Sequence, residues 1–139
     1  MERLAIAAIL IVVAIAVASL LQRRRSASAT AVPRSELPPA IDLVGVGVPE
    51  GPALVVFTEE TCRTCQAALA VVRGPAGAGL PVAEVPFGAG RGLHRQHSID
   101  TVPTTVVADA DGRVVDGWVG SVDLSGLAAA LAQVAPRAD

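Results

Sequence analysis

The chain contains two cysteines, Cys62 and Cys65, three positions apart in "FTEETCRTC", residues 57–65. Thiols at that spacing can exchange electrons as a dithiol and disulfide, offer two thiolates to a metal, or pack as small apolar side chains. A purely structural staple is a poor reading, because closing so small a loop removes little chain entropy. A second pair, His94 and His97 in "HRQH", has the spacing to complete a zinc set of two thiolates and two imidazoles. The 28 residues between the two pairs make that convergence awkward. Histidines on a short polar helix read more simply as surface residues.

The elements around the cysteines favour electron exchange. "ALVVF" (53–57) is a continuous apolar run rich in β-branched residues, which suits a strand buried on both faces of a sheet. The segment "CRTCQAALAVVR" then places 62, 65, 68, 69 and 72 at helical spacing, with Thr61 available as N-cap. The cysteines therefore fall on the first turn of a helix that leaves a central strand. Cys62, at the amide end, sits where partial positive charge and free N–H donors favour a thiolate, and Arg63 adds a nearby cation. Cys62 is the expected nucleophile. Cys65, one turn deeper, would resolve a mixed disulfide by attacking the Cys62 sulfur.

The rest of the chain supplies a small α/β framework. "LPVAEVPF" (80–87) reads as a strand near an edge, given Pro81 and Pro86. "RGLHRQHSI" (91–99) gives a short helix, "TTVVA" (104–108) a strand, "DADG" a turn and "RVVDGWVG" (113–120) its hairpin partner. "SVDLSGLAAALAQVA" closes the chain as a helix with Val122, Leu124, Leu127, Leu131 and Val134 near one face and Ser121 as its cap. "DLVGVGV" (42–48) can add a short leading strand. The order predicts a small mixed sheet with helices on both faces.

The front end is different in kind. Residues 4–21, "LAIAAILIVVAIAVASLL", are eighteen uncharged residues, long enough as a helix to span roughly 27 Å. "ASA" at 27–29 offers a signal-peptidase site, but Arg23, Arg24 and Arg25 stand between it and the apolar run, which favours an anchor over a cleaved signal. The expected organisation is a transmembrane anchor over 1–22, a flexible Ser-, Thr- and Pro-rich linker over 23–40 and one folded domain over 41–139. The basic flank after the span predicts a single-pass protein of the cell membrane whose domain faces the cytoplasm.

Charge and motif content exclude several functions. Beyond residue 25 the chain carries seven arginines, no lysine and twelve acidic residues, so binding nucleic acid through phosphate neutralisation is not expected. No glycine-rich phosphate loop or serine nucleophile elbow occurs, and no cofactor is expected.

Strand, "FTEETCRTCQ", helix, then "IDTVPTTVV" and "GRVVDGWVG" together resemble the thioredoxin superfamily over about residues 52–134. More narrowly they are similar to its membrane-tethered thioredoxin-like members. The resemblance implies a thioredoxin-like α/β fold behind one N-terminal transmembrane helix, with Cys62 and Cys65 as the redox pair. It implies that Pro103 follows a cis bond and packs beside the disulfide, that Val102 offers backbone groups to an extended substrate peptide, and that Gly120 lies at the rim of that groove. Thr61, in place of the family's aromatic before the first cysteine, flanks the same groove. Val56 stands where typical members carry a buried acid, leaving the proton of Cys65 to water, Glu59 or Glu60. The implied partners are protein or small-thiol disulfide substrates and an electron-donating reductase. The competing readings are a metal-binding module built from the two pairs, and a redox-inert scaffold of the same fold.

Overall fold

The computed structural model describes residues 1–27 and 36–135, with the side chains of 2–5 and 21–27 left aside. Its elements are α1 (Glu2–Ala27), β1 (Ala53–Thr58), α2 (Arg63–Arg73), β2 (Val82–Pro86), α3 (Phe87–Gln96), β3 (Thr104–Ala108), β4 (Val114–Val119) and α4 (Leu124–Val134), with a 3₁₀ turn at Pro75–Gly77. Of the expected linker over 23–40, residues 28–35 fall outside the described residues, as does most of the "ASA" site.

The continuous apolar run becomes the innermost strand. Every residue of β1 is buried, and the sheet order is β2-β1-β3-β4. β1 runs parallel to β2 and antiparallel to β3, and β3 pairs antiparallel with β4. The parallel pair needs a crossover between its strands, which α2 supplies. Alternation along β1 then sorts the core. Leu54 and Val56 face α2 and α4 with Ala68, Leu69, Val72, Trp118, Leu127 and Leu131. Val55 and Phe57 face the other way, into a core completed by Leu37, Ile41, Leu43, Val48 and Val85.

The stretch 42–48 is a series of turns, not a strand. The Asp42 carboxylate accepts from Gly45 N–H at 2.9 Å, and Val46 N–H and Val48 N–H donate to the carbonyls of Asp42 and Leu43. A short acidic side chain bonding its own backbone competes with a sheet ladder and here replaces it. Just upstream, Ile41 N–H donates to Gly112 O at 2.7 Å and Val114 N–H to Pro39 O at 3.0 Å. These bonds and the Ala40–Arg113 bridge shield the start of the edge strand β4. Among the residues described after 35, Leu37 is already part of this core.

The starts of α3 and α4 differ from expectation. α3 begins at Phe87, four residues earlier than the sequence suggests, with a kink at Gly90, where a Cβ would come within 2.6 Å of Val85 Cγ1. α4 is capped by Asp123, whose carboxylate accepts from Gly126 N–H at 2.7 Å, and not by Ser121. Leu124 consequently lies outside the buried face of Leu127, Ala130 and Leu131. In α1 the side chains described over 6–20 are uncharged, and the large aliphatic ones are all exposed. Among the described residues no helix is long and apolar enough to cross a membrane.

The histidines are not on the surface. His94 and His97 are 2% and 8% exposed and pack edge-on to Phe57 at 5.1 and 6.0 Å between ring centroids. Val85 O accepts from His94 Nε2 at 2.8 Å, and His97 Nε2 accepts from Asp42 N–H at 3.5 Å. Burial pushes the His97 imidazole below its ordinary value of 6.5, opposed by the Asp42 charge and a bond to the Ala40 backbone. On acidification the unfolded chain therefore binds the proton first. His97 contributes its full stability above about pH 6.5 and loses it as pH falls through and below that value. Thermal unfolding of the chain in detergent should show a falling midpoint between about pH 7.5 and 5.5, with a shallower fall in His97→Gln. Parallel curves for the two proteins would contradict this assignment.

Candidate active site at the head of the second helix

Cys62 and Cys65 are joined as a disulfide with their Cα atoms 5.3 Å apart. The two sulfurs occupy different environments, since Cys62 is partly exposed and Cys65 is 0% exposed. The difference follows from their places on α2. Cys62 lies one residue before the helix with φ −81° and ψ 105°, whereas Cys65 is the first of the buried stripe Cys65, Ala68, Leu69 and Val72.

The helix cap is Cys62 itself and not Thr61. Its Sγ accepts from Cys65 N–H at 3.1 Å, satisfying one of the orphan donors of the first turn. Thr61 is engaged elsewhere, its N–H and hydroxyl both donating to Glu59 Oε2 at 3.1 and 2.7 Å. Thr64 Oγ1 lies 3.4 Å from Cys62 Sγ, and because a disulfide sulfur carries no proton, the hydroxyl is the donor. No acidic residue stands in the first turn. Two donors and the positive end of the helix dipole therefore converge on one accessible sulfur, an arrangement that favours negative charge there. Arg63 is the first helical residue and is exposed.

The remaining expected site residues come together at the same end of the sheet. Phe57, near the end of β1, pairs with Thr104, and Thr104 pairs with Val119. Pro103 and Gly120 therefore sit one step beyond the ladder, level with the loop that leads to Cys62. The Val102–Pro103 bond is cis, Pro103 is buried and Val102 half-buried. Gly120 N–H donates to Pro103 O at 2.8 Å, and its φ of +87° is a conformation that favours glycine.

The proposed proton acceptors do not turn inward. Glu59 is held by Thr61, and Glu60 lies against Gly88 at the head of α3, 3.5 Å from where a Cβ on that glycine would stand. Val56 is buried in the apolar core. The metal reading loses its ligands for a topological reason. The histidines pack on the Phe57 face of the sheet, and Cys65 belongs to the helix on the Val56 face. Among the described residues no group of three or more His, Cys, Asp or Glu could hold a metal ion.

Thr64 is the residue that sequence spacing gave no reason to single out, because its role depends on a hydroxyl rotamer. Thr64→Val removes one of the two donors to Cys62 Sγ and should slow alkylation of the reduced Cys62 thiol near neutral pH by roughly three- to tenfold, the worth of one weak hydrogen bond. Alkylation rate against pH reads this directly. A curve identical to that of the parent chain would show that the Thr64 contact does not bear on the thiolate.

No family model matches the sequence, and no curated protein matches it. Solved structures do. A thioredoxin of Fasciola hepatica aligns with a TM-score of 0.52 at 21% identity, over 63% of this chain and 85% of that one. A thioredoxin of Malassezia sympodialis (Mala s 13) aligns with a TM-score of 0.49 at 24% identity, over 61% and 76%. At such identities the likeness bears on the fold, and the first of the two carries it: a four-stranded mixed sheet between helices, with Cys-x-x-Cys at the head of α2, is a thioredoxin-like fold.

Proposed function

We propose that the chain is a membrane-anchored thiol–disulfide oxidoreductase acting on protein or small-thiol disulfides. The observation that carries this reading is the asymmetry of the pair. An accessible sulfur capped by N–H and O–H donors precedes a buried sulfur in bonding position. In the reducing direction the Cys62 thiolate attacks one sulfur of a substrate disulfide, and the other leaves as a thiolate. Cys65, once deprotonated, attacks Cys62 Sγ and releases the second substrate thiolate, so the substrate gains two electrons and the chain becomes the Cys62–Cys65 disulfide. A reductase with its own dithiol would return the pair to the reduced state. Val102, Pro103 and Gly120, with Thr61 on the opposite side, would line the substrate groove.

The anchor is supported by α1. It carries the uncharged run over residues 4–21. Ile9, Leu10, Ile11, Val12, Val13 and Ile15 point in every direction around the helix and are all more than half exposed, an apolar surface of the kind a membrane covers. The arginines at 23–25 favour a cytoplasmic domain, where the reducing poise keeps the dithiol available.

One experiment tests both parts. In cells expressing the full chain, Cys65→Ser should trap substrates on Cys62 as mixed disulfides, recovered in the carbonate-washed membrane pellet, and Cys62→Ser should trap none. An impermeant thiol reagent applied to intact cells should leave the pair unlabelled. Absence of trapped species in Cys65→Ser would remove the oxidoreductase reading, trapped species in the supernatant would remove the anchor, and labelling would reverse the orientation.

A further inference from the structure

The stretch before β1 does more than join it to α1. Leu37, Ile41, Leu43 and Val48 are buried in the core that holds Phe57, and the backbone around Ala40 is bonded to the β3–β4 hairpin. Ile41 N–H donates to Gly112 O at 2.7 Å, Val114 N–H donates to Pro39 O at 3.0 Å, and Ala40 bridges Arg113. Gly112 has a φ of +81°, and a Cβ on it would collide with Ile41 O, so the hairpin admits this attachment only with glycine there. A plain spacer needs none of these contacts. They fix the place at which the chain coming from α1 enters the domain.

That place is the far end of the sheet from the cysteines. β3 starts beside Pro103 and runs to Ala108, the chain turns at 109–113, and β4 returns to Gly120, whose N–H donates to Pro103 O at 2.8 Å. β1 runs antiparallel to β3, pairing Ala53 with Ala108 and Phe57 with Thr104, so its end and the loop to Cys62 lie at the Pro103 end. Between Arg113 and Gly120 the strand covers roughly 23 Å at about 3.3 Å per residue. The attachment also shortens the free chain. Without it the chain from Ala27 to Ala53 could reach about 90 Å, whereas the span from Ala27 to Leu37 reaches at most about 35 Å. Turning the domain over to bring Cys62 to the headgroups would lift Ala40 by the length of the sheet. The span behind it would then be drawn out to well over half its full length, at a cost in chain entropy.

We propose that the Cys62 end points away from the bilayer, and that the substrates are disulfides of protein segments standing about 20 Å or more beyond the headgroups, not disulfides at the membrane surface. The inference rests on the membrane-anchored oxidoreductase reading. It gives the contacts around Ala40 and Gly112 a role that the redox step itself does not use: they set where the reactive sulfur can work.

The full chain, reduced and reconstituted in phosphatidylcholine vesicles, is offered 2-pyridyl disulfides mounted on lipid in two ways, directly on the headgroup or at the tip of a poly(ethylene glycol) spacer longer than the domain. Attack by the Cys62 thiolate on the lipid-side sulfur breaks the mounted S–S bond and expels pyridine-2-thione with the bonding pair. Cys65 then closes on Cys62 and frees the lipid thiol, so two electrons pass from the dithiol to the probe. Each rate is divided by that of dithiothreitol on the same vesicles. The tip-mounted disulfide should react at least about tenfold faster than the headgroup-mounted one, and a run of about twenty Gly and Ser residues inserted between Ala31 and Val32 should bring the ratio toward one. Equal rates on the two probes in the parent chain, or a ratio that the insertion leaves unchanged, would overturn the proposal while the reading beneath it stands. A chain that fails to float with the vesicles, or that releases no thione from soluble 2,2′-dithiodipyridine, would remove that reading and this inference with it.

Discussion

The hydrogen bond from Cys65 N–H to Cys62 Sγ is the contact on which the site depends. It makes one sulfur both the reactive atom and the cap of the helix that carries its partner. A thiolate is a stronger acceptor than a thiol or a disulfide sulfur, so the ionised state of Cys62 and the integrity of the first turn support one another. Thr61, the residue type that would ordinarily cap, is diverted into a turn with Glu59 and leaves the position to the cysteine. For that cap to form, α2 must start at one fixed point. The burial of all six residues of β1 and its pairing on both edges hold the strand end from which the loop departs.

The sheet also divides the chemistry. Its α2 face is apolar under the helix, with Thr58, Glu84 and Thr105 as the polar members around Val56. Thr105 Oγ1 is buried there with no hydrogen-bond partner among the described residues. The opposite face takes the imidazoles, packed on Phe57 and bound to backbone groups, and thus keeps two strong metal ligands away from two thiols. The chain between Leu37 and Val48 completes that second face and pairs with the start of β4. Whatever precedes the domain is joined to its core through this segment.

Much of this was legible in the residues. The run of β1 is read from its short length and β-branched content, the helix after it from its spacing and the hairpin from the turn residues of "DADG". The cis bond before Pro103 was implied by the resemblance and not by any periodicity. What was not legible depends on choices among local hydrogen bonds. Thr61 and Ser121 are good caps by type, yet Cys62 and Asp123 took the role once Glu59 captured Thr61 and the Asp123 carboxylate met Gly126 N–H. Glycines at 88, 90 and 92 hid the early start of α3. The histidines read as surface residues because nothing in "HRQH" announces that Phe57 lies beneath them.

The measurement that bears most directly on the account is a redox titration of the full chain in detergent. The protein would be equilibrated across a series of glutathione poises, quenched in acid, alkylated and weighed. The account predicts that both cysteines pass together from alkylated to blocked at one potential, as a two-electron couple closing on itself. Thiols that remain alkylated at every poise, or that acquire glutathione singly without closing, would contradict it.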